Sequence, residues 1–158
     1  MKTHFFIHIP KNAGMTVRRN EELWSRIEVA VPKFHKSKEY TDALLATMKA
    51  SGDHHGYEHA RWRDLSNSVK NGNYKFFAIV RNPWSRVVSR FNFARMAIEQ
   101  GKSPKSYCSC NNFEEFLEER FIWGNKEFYW HRAIRGWFPA LDHVTDEAGN
   151  VKCQILRY

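Results

Sequence analysis

The sequence contains few cysteines, no long apolar run and no internal repeat. Its 158 residues include three cysteines, an odd number that is too small for a disulfide framework. The apolar run near the start of the chain stops at Pro10-Lys11, which is too early for the core of a signal peptide. No later run reaches the roughly 18 apolar residues of a membrane span. We therefore expect a cytoplasmic protein without a transmembrane segment.

Two further absences concern nucleotide chemistry. The Walker A pattern G-x-x-x-x-G-K-[ST] does not occur, and no plain pair of carboxylates for Mg²⁺ stands out. Positive charge is abundant, since 25 Lys and Arg against 17 Asp and Glu give a formal net charge of +8. This balance predicts an anionic partner, which could be a nucleotide, an acidic sugar, a nucleic acid or an anionic membrane.

Strand-like and helix-like segments alternate along the chain. The apolar run KFFAIV at 75–80 is typical of a strand buried on both faces of a parallel sheet, and 4–9 predicts a second strand. The predicted helices cover 15–25, 37–51, 59–70, 83–100 and 113–122. Turn-rich residues between 141–145 and 151–156 suggest a hairpin. The alternation predicts an α/β fold with a central parallel sheet flanked by helices.

Both predicted strands lead through a basic residue into a helix. Lys11 follows the first strand and Arg81 follows the second. Ligands of open α/β sheets bind outside the carboxyl ends of the strands, so Lys11 and Arg81 should lie on the same rim, beside helix N-termini that favour anions. Ser89 falls on a polar stripe of the helix after Arg81. This arrangement predicts one ligand with two separated anionic groups.

Specific motifs at these positions resemble those of sulfotransferases. The stretch IHIPKNAGMT at 7–16 looks like the family's 5′-phosphosulfate loop, especially in the branch that acts on carbohydrates such as heparan, chondroitin and dermatan. The stretch FFAIVRNPWSRVVSRF at 76–91 resembles the 3′-phosphate motif, with Ser89 eight positions after Arg81. HARWRDL, from His59, resembles the histidine-led segment between the two motifs, and NVKCQILRY at 150–158 is similar to the stretch that closes the domain.

The resemblance implies a three-layer, P-loop-like fold and transfer of a sulfuryl group from 3′-phosphoadenosine 5′-phosphosulfate (PAPS) to a hydroxyl or amine, with a saccharide as the expected acceptor. It assigns Lys11 to the charge that develops on the bridging oxygen and His59 to the acceptor proton. Neither role requires a metal or a nucleic-acid partner. The residues implied in donor binding are Pro10, Lys11, Asn12, Ala13, Gly14, Met15, Thr16, Arg81 and Ser89.

The sequence also departs from the family's pattern. Asn12-Ala13 replaces the commoner Thr-Gly, and Met15 stands where a small residue is frequent, although Gly14 preserves the backbone cradle. Tyr158 stands where family members usually continue with further helices. We therefore treat 1–158 as a single sulfotransferase-like domain, which is either a minimal enzyme or a C-terminally truncated one.

Each residue has an alternative interpretation. Lys11, Arg81 and Ser89 could be solvated surface groups. His55 and His59 stand four residues apart, a spacing that also occurs in metal sites, but no third ligand with a typical motif accompanies them. Together with His54, they leave the identity of the base open.

Two other function classes stay open at this point. One is a kinase-like nucleotide-binding protein, and the other is a non-enzymatic basic module that binds polyanions. Four tryptophans could stack on a sugar ring but are more often used in core packing. They are Trp62, Trp123, Trp130 and Trp137.

Overall fold

The chain folds into two compact units. A computed structural model describes residues 2–50, 56–101, 112–123 and 137–158. The first unit comprises Met1–Asp42, Tyr57–Asn82 and Pro139–Tyr158, and the second comprises Ala43–Gly56 and Pro83–Phe138. Within the described residues, no helix is both long and apolar enough to cross a membrane.

The first unit is built around a four-stranded sheet. Its strands are β1 His4–Ile7, β2 Ile27–Val29, β3 Lys75–Val80 and β4 Gln154–Arg157. Their order is β2-β1-β3-β4, and all neighbouring pairs are parallel. The predicted α/β fold with a central parallel sheet flanked by helices is thereby confirmed.

Short helices connect the strands of this unit, and longer ones belong largely to the second unit. The α-helices are α1 Gly14–Arg19, α2 Glu21–Trp24, α3 Lys38–Ala50, α4 Asn67–Lys70, α5 Pro83–Glu99, α6 Phe113–Trp123 and α7 Ala140–Val144. Short 3₁₀ turns cover Pro32–Phe34, Tyr57–His59 and Trp62–Asp64. The helices predicted over 37–51, 83–100 and 113–122 are confirmed to within two residues.

Aromatic packing around β1 forms the core of the first unit. The Phe5 ring is fully buried, and its centroid lies 5.5 Å from those of Phe34, Tyr74 and Phe76. Tilted and edge-to-face contacts at this separation add to the free energy gained from burying apolar area. The alternation of Phe5, Ile7 and Ile9 puts all three in this core, which fixes the position of the loop that follows β1.

The second unit has its own apolar cluster. Ala94 and Ala97 of α5 are buried with Phe116 of α6, and Phe91 packs against the same cluster. Arg86 is also buried on α5, where its Nη1 donates to the Phe138 carbonyl over 2.6 Å. Burial, together with the neighbouring charge of Arg90, lowers the pKa of Arg86 to about 10. The cost of burying Arg86 is thus offset in part by a strong hydrogen bond.

Several sequence predictions about elements in the first half of the chain are wrong. The helix expected over 15–25 divides at Asn20, because this side chain accepts the N–H of Glu22 and starts a new helix. The first strand ends at Ile7 rather than at residue 9, and β2 was missed because it has only three residues. β3 is the predicted strand, but of its side chains only Ala78 is fully buried.

Two predictions nearer the middle and the end also fail. The helix expected over 59–70 is replaced by 3₁₀ turns and α4, because Leu65 is extended and pairs with His35 in an isolated bridge. The expected hairpin reduces to a bridge between Thr145 and Val151. Residues 154–157 instead pair in parallel with β3. His54, His55, Cys108, Cys110 and Trp130 lie outside the described residues.

Candidate functional site

The strand order places the loops after β1 and β3 at a switch point of the sheet. From β1 the chain crosses to β2 on one side, and β3 then pairs with β1 on the other side. In open α/β sheets the crevice at such a reversal, outside the carboxyl ends of the strands, is where ligands bind. Lys11 follows β1 and Arg81 follows β3, so both residues lie at this switch point.

The loop after β1 has an unusual backbone. Lys11 and Ala13 adopt left-handed conformations, with φ of 64° and 57°, although neither is glycine. Such residues cost about 1–3 kcal/mol each and occur mainly at functional sites. Asn12 stands between them, and α1 begins at Gly14. The loop therefore has the turn-like backbone geometry in which successive N–H groups form anion-binding concavities.

Three consecutive N–H groups remain for a ligand in this loop. The N–H of Asn12 donates to Ile9, and that of Thr16 donates to Ala13. Within the described part of the chain, the N–H groups of the three residues between them make no backbone hydrogen bond. Among the residues implied in donor binding, Ala13, Gly14 and Met15 are thus the candidates for donating backbone N–H groups to a ligand.

The two loops are tied directly to each other. The backbone N–H of Arg81 donates to Asn12 Oδ1 over 3.1 Å, and Arg81 Nη1 donates to the Lys11 carbonyl over 3.4 Å. The Arg81 guanidinium also lies 5.3 Å from the centre of the Tyr158 ring. Its Nε is buried and has no hydrogen-bond partner among the described residues. Lys11 and Arg81 therefore share one rim, as the two strand ends predict.

A stack of side chains connects the loop to His59. His8 is the first residue after β1, and its ring lies so close to Gly14 that a Cβ at Gly14 would overlap the imidazole. The His8 and His59 rings lie 4.3 Å apart, centre to centre. His59 is buried, with 8% of its surface exposed. The histidine from the segment between the two motifs is thereby brought beside the loop of the first motif.

Hydrogen bonding sets the tautomer of His59. Its Nδ1 lies 2.8 Å from the carbonyl oxygen of His8. A carbonyl can only accept, so Nδ1 carries the proton and the lone pair of the neutral ring is on Nε2. Nε2 lies 3.9 Å from Glu58 Oε1, and the same oxygen accepts from Arg18 Nη1 over 3.2 Å. His59 is thus held in the form that can accept a proton from a substrate.

Three residues of this cluster could also ligate a metal ion. His8, Glu58 and His59 offer ligand atoms that lie within 4.8 Å of one another. Zinc with nitrogen ligands at about 2.0–2.1 Å requires these atoms to be roughly 3.3 Å apart in a tetrahedral site. To bind zinc, the three side chains would have to move closer to one another, and the ion would have to compete with Arg18 for Glu58. The expectation that the chemistry needs no metal stays a prediction.

The remaining predicted residues are placed as follows. Met15 and Thr16 are exposed on α1, and Pro10 is buried at the start of the loop. Ser89 lies half-buried on α5, in the second unit. Trp62 and Trp137 pack against the cores of the first and second units. These two indoles therefore serve packing.

Sequence reasoning missed Glu58 in this cluster, and it did not reveal the pairing of Glu58 with Arg18. Glu58 and Arg18 meet across 40 residues of sequence, which no local pattern reveals. The adjacency of Glu58 to His59 was the one available signal.

Comparison with known proteins identifies the family to which the chain belongs. No solved structure matches the chain. The family model described as the sulfotransferase domain matches residues 14–145. The matched range includes His59, Arg81 and Ser89 and begins three residues after Lys11. Because this range covers most of the chain, the protein belongs to the sulfotransferase family and is an enzyme that transfers sulfuryl groups.

Proposed function

We propose that this enzyme takes its sulfuryl group from PAPS and passes it to a hydroxyl or amine of a carbohydrate. The observation that carries the donor assignment is the contact between the two loops, in which Arg81 meets both Lys11 and Asn12. PAPS has anionic groups at both its 5′ and 3′ positions. One rim with two linked cationic loops suits a ligand of this kind better than a nucleotide with one phosphorylated end.

The 5′ end fits the loop after β1. Ala13, Gly14 and Met15 present their N–H groups there, and Lys11 adds a full positive charge. Such charge-assisted hydrogen bonds are about twice as strong as neutral ones. The 3′-phosphate fits Arg81, whose buried Nε has a donor to offer. Ser89 is proposed as a further contact to this phosphate on the strength of the motif alone.

The chemistry follows from these assignments. The acceptor oxygen attacks the sulfur of PAPS, and the bond between sulfur and the bridging phosphate oxygen breaks. The acceptor proton passes to Nε2 of His59, which the His8 carbonyl keeps in the correct tautomer. Lys11 stabilises the negative charge that the departing phosphate acquires. The products are the sulfated acceptor and adenosine 3′,5′-bisphosphate.

The carbohydrate acceptor is supported by less direct features. The I-P-K form of the loop resembles the carbohydrate branch, and the net charge of +8 suits an acidic saccharide. Trp62 and Trp137 do not add support, because both pack against the apolar cores of their units. The single-domain organisation and the cytoplasmic location also remain proposals from the sequence.

Calorimetry tests the donor without requiring the acceptor. Adenosine 3′,5′-bisphosphate should bind, whereas ATP with Mg²⁺ should bind far more weakly. The reverse order would support a kinase-like nucleotide site and contradict the proposal. Transfer of labelled sulfate from PAPS to a panel of saccharides then tests the acceptor class, with phenols as the comparison. Exclusive transfer to phenols would reject the carbohydrate assignment and leave the donor assignment intact.

A further inference from the structure

Asn12 makes its side-chain contacts inside the protein. Only 1% of its surface is exposed. Its Oδ1 accepts the N–H of Arg81 over 3.1 Å, and its Nδ2 donates to the carbonyl of Pro10 over 3.4 Å. An N–H requires an acceptor and a carbonyl requires a donor, so both contacts demand the same orientation of the amide. The side chain thus connects the end of β1 to the end of β3.

The position of this amide matters because its neighbours are strained. Lys11 and Ala13, on either side, hold positive φ angles that unrestrained residues of their type avoid. Strained residues of this kind persist only where the surroundings fix them. The buried Asn12 side chain supplies two such restraints, and Arg81 Nη1 supplies a third at the Lys11 carbonyl.

We propose that Asn12 is a positioning residue that sets the distance between the Lys11 loop and Arg81. This separation is what the enzyme uses to prefer a nucleotide with anionic groups at both the 5′ and 3′ positions. The inference rests on the proposed function, since it assigns the two anionic groups to these two loops. It gives the Asn12 side chain a role through Arg81, without contact to the donor.

The chemistry of the amide explains why other side chains cannot replace it. Alanine removes both contacts, and serine is too short to reach both partners from the same backbone position. Aspartate has the same shape and keeps the oxygen that accepts from Arg81, but it cannot donate to Pro10. Asn12→Asp therefore separates the contact between the loops from the contact within the first loop.

The test is a ratio of affinities measured by calorimetry. The ratio compares the Kd of adenosine 5′-monophosphate with that of adenosine 3′,5′-bisphosphate, so that a general loss of affinity cancels. Asn12→Ala should lower the preference for the bisphosphate by about tenfold, the smaller end of the effect of losing a hydrogen bond to a charged group. Asn12→Asp should keep the preference for the bisphosphate. It should raise the Kd of both nucleotides, because it places a negative charge near the 5′-phosphate that they share.

Asn20→Ala is the matched control. The side chain of Asn20 also accepts a backbone N–H, that of Glu22, but it caps α2 and makes no hydrogen bond to Arg81. Its loss should lower the Tm and leave the ratio unchanged. A folded Asn12→Ala variant with the wild-type ratio would overturn the inference, as would an Asn12→Asp variant that loses the preference.

If Asn12→Ala does not fold, a second measurement tests the inference. In Asn12→Asp, the amide proton resonance of Arg81 should shift as the introduced carboxyl titrates, because this N–H donates to it. An Arg81 amide proton whose chemical shift stays constant through the titration would overturn the inference. A wild-type chain with no preference for the bisphosphate would reject the proposed donor and this inference together, whereas a wild-type preference that survives Asn12→Ala rejects this inference alone.

Discussion

The Nδ1–H of His59 donates to the main-chain carbonyl of His8, which belongs to the segment between β1 and the Lys11 loop. The bond spans 51 residues of sequence and is 2.8 Å long. It fixes His59 to the segment that leads into the Lys11 loop, so the His59 ring and this loop keep their relative position. The ring of His8, packed over Gly14, holds this arrangement from the other side.

His59→Ala should leave donor binding nearly unchanged and slow transfer. The proposed base contacts the acceptor hydroxyl alone, so its loss should lower kcat by about 10²–10⁴-fold. The pH–rate profile should also lose its acid limb, because no imidazole remains to be deprotonated. Calorimetry with adenosine 3′,5′-bisphosphate and a sulfate-transfer assay check the two halves. The control is His4→Ala, at the amino end of β1. Full turnover in His59→Ala would reassign the base, with His54 and His55 as the next candidates.

Lys11→Ala should damage both binding and transfer. In the proposed function, Lys11 contacts the donor both before and during the reaction. We expect the Kd of adenosine 3′,5′-bisphosphate to rise and kcat to fall in the same variant. Lys75→Ala is the control. It removes the same charge, but from an exposed residue at the amino end of β3. Normal donor affinity in Lys11→Ala would show that Lys11 acts on the transition state alone and does not contribute to donor binding.

Arg81→Ala should discriminate between nucleotides. If Arg81 holds the 3′-phosphate, its loss should weaken adenosine 3′,5′-bisphosphate by about 2–3 kcal/mol, as for a hydrogen bond between charged groups. Adenosine 5′-phosphosulfate lacks this phosphate and should be affected far less. Arg157→Ala serves as the control, because Arg157 pairs with Val80 at the same end of the sheet and carries the same charge. Equal losses for both ligands would reject the assignment to the 3′ position.

Gly14→Ala should be destabilising, and His8→Ala should rescue it. A Cβ at Gly14 overlaps the His8 imidazole, and overpacking of this kind costs about 1–3 kcal/mol. Removing the ring opens the space, so the double variant should be no less stable than His8→Ala alone. Urea denaturation of all four proteins gives the coupling free energy. Additive effects in this cycle would show that Gly14 is required for its backbone and not for space.

The sequence predicted the parts of the site that depend on local pattern. The runs at 4–9 and 75–80 indicated neighbouring parallel strands, and their ends located Lys11 and Arg81 on one rim. The partners of His59 were out of reach, because its contacts to His8 and the ion pair between Glu58 and Arg18 join residues 40 or more positions apart. Tertiary packing, rather than propensity, decides such contacts.

The failures at 59–70 and 141–156 both involve contacts of an aspartate. At 141–156 the side chain of Asp146 offers the backbone an alternative to regular structure. Asp146 accepts the N–H groups of Ala148 and Asn150, which closes a local turn and leaves 154–157 to join β3. Asp64 receives Arg61 and Lys36, and the chain between Arg61 and Leu65 turns in 3₁₀ form around these contacts.

Asp64→Asn should make the enzyme less stable at neutral pH and insensitive to acid over the range in which the wild type loses stability. Asp64 is 1% exposed and accepts from Arg61 Nε over 2.7 Å and from Lys36 Nζ over 2.9 Å. Burial alone would raise the pKa of this carboxyl, but the Arg61 and Lys36 contacts outweigh it and the pKa is lowered. Breaking a buried ion pair on one side costs about 3–5 kcal/mol.

The direction of the pH effect follows from the lowered pKa of Asp64. The unfolded carboxyl protonates near its ordinary value of about 3.9, and the folded one protonates at a lower pH. The stabilisation is therefore fully present above about pH 4 and is lost as the pH falls through the folded pKa. Urea denaturation between pH 7 and pH 2 should show the wild-type and Asp64→Asn curves converging in acid. Asp42→Asn, in an exposed pair with Lys38, should run parallel to the wild type. A constant gap between wild type and Asp64→Asn down to pH 2 would mean that the charge of Asp64 does not contribute to stability.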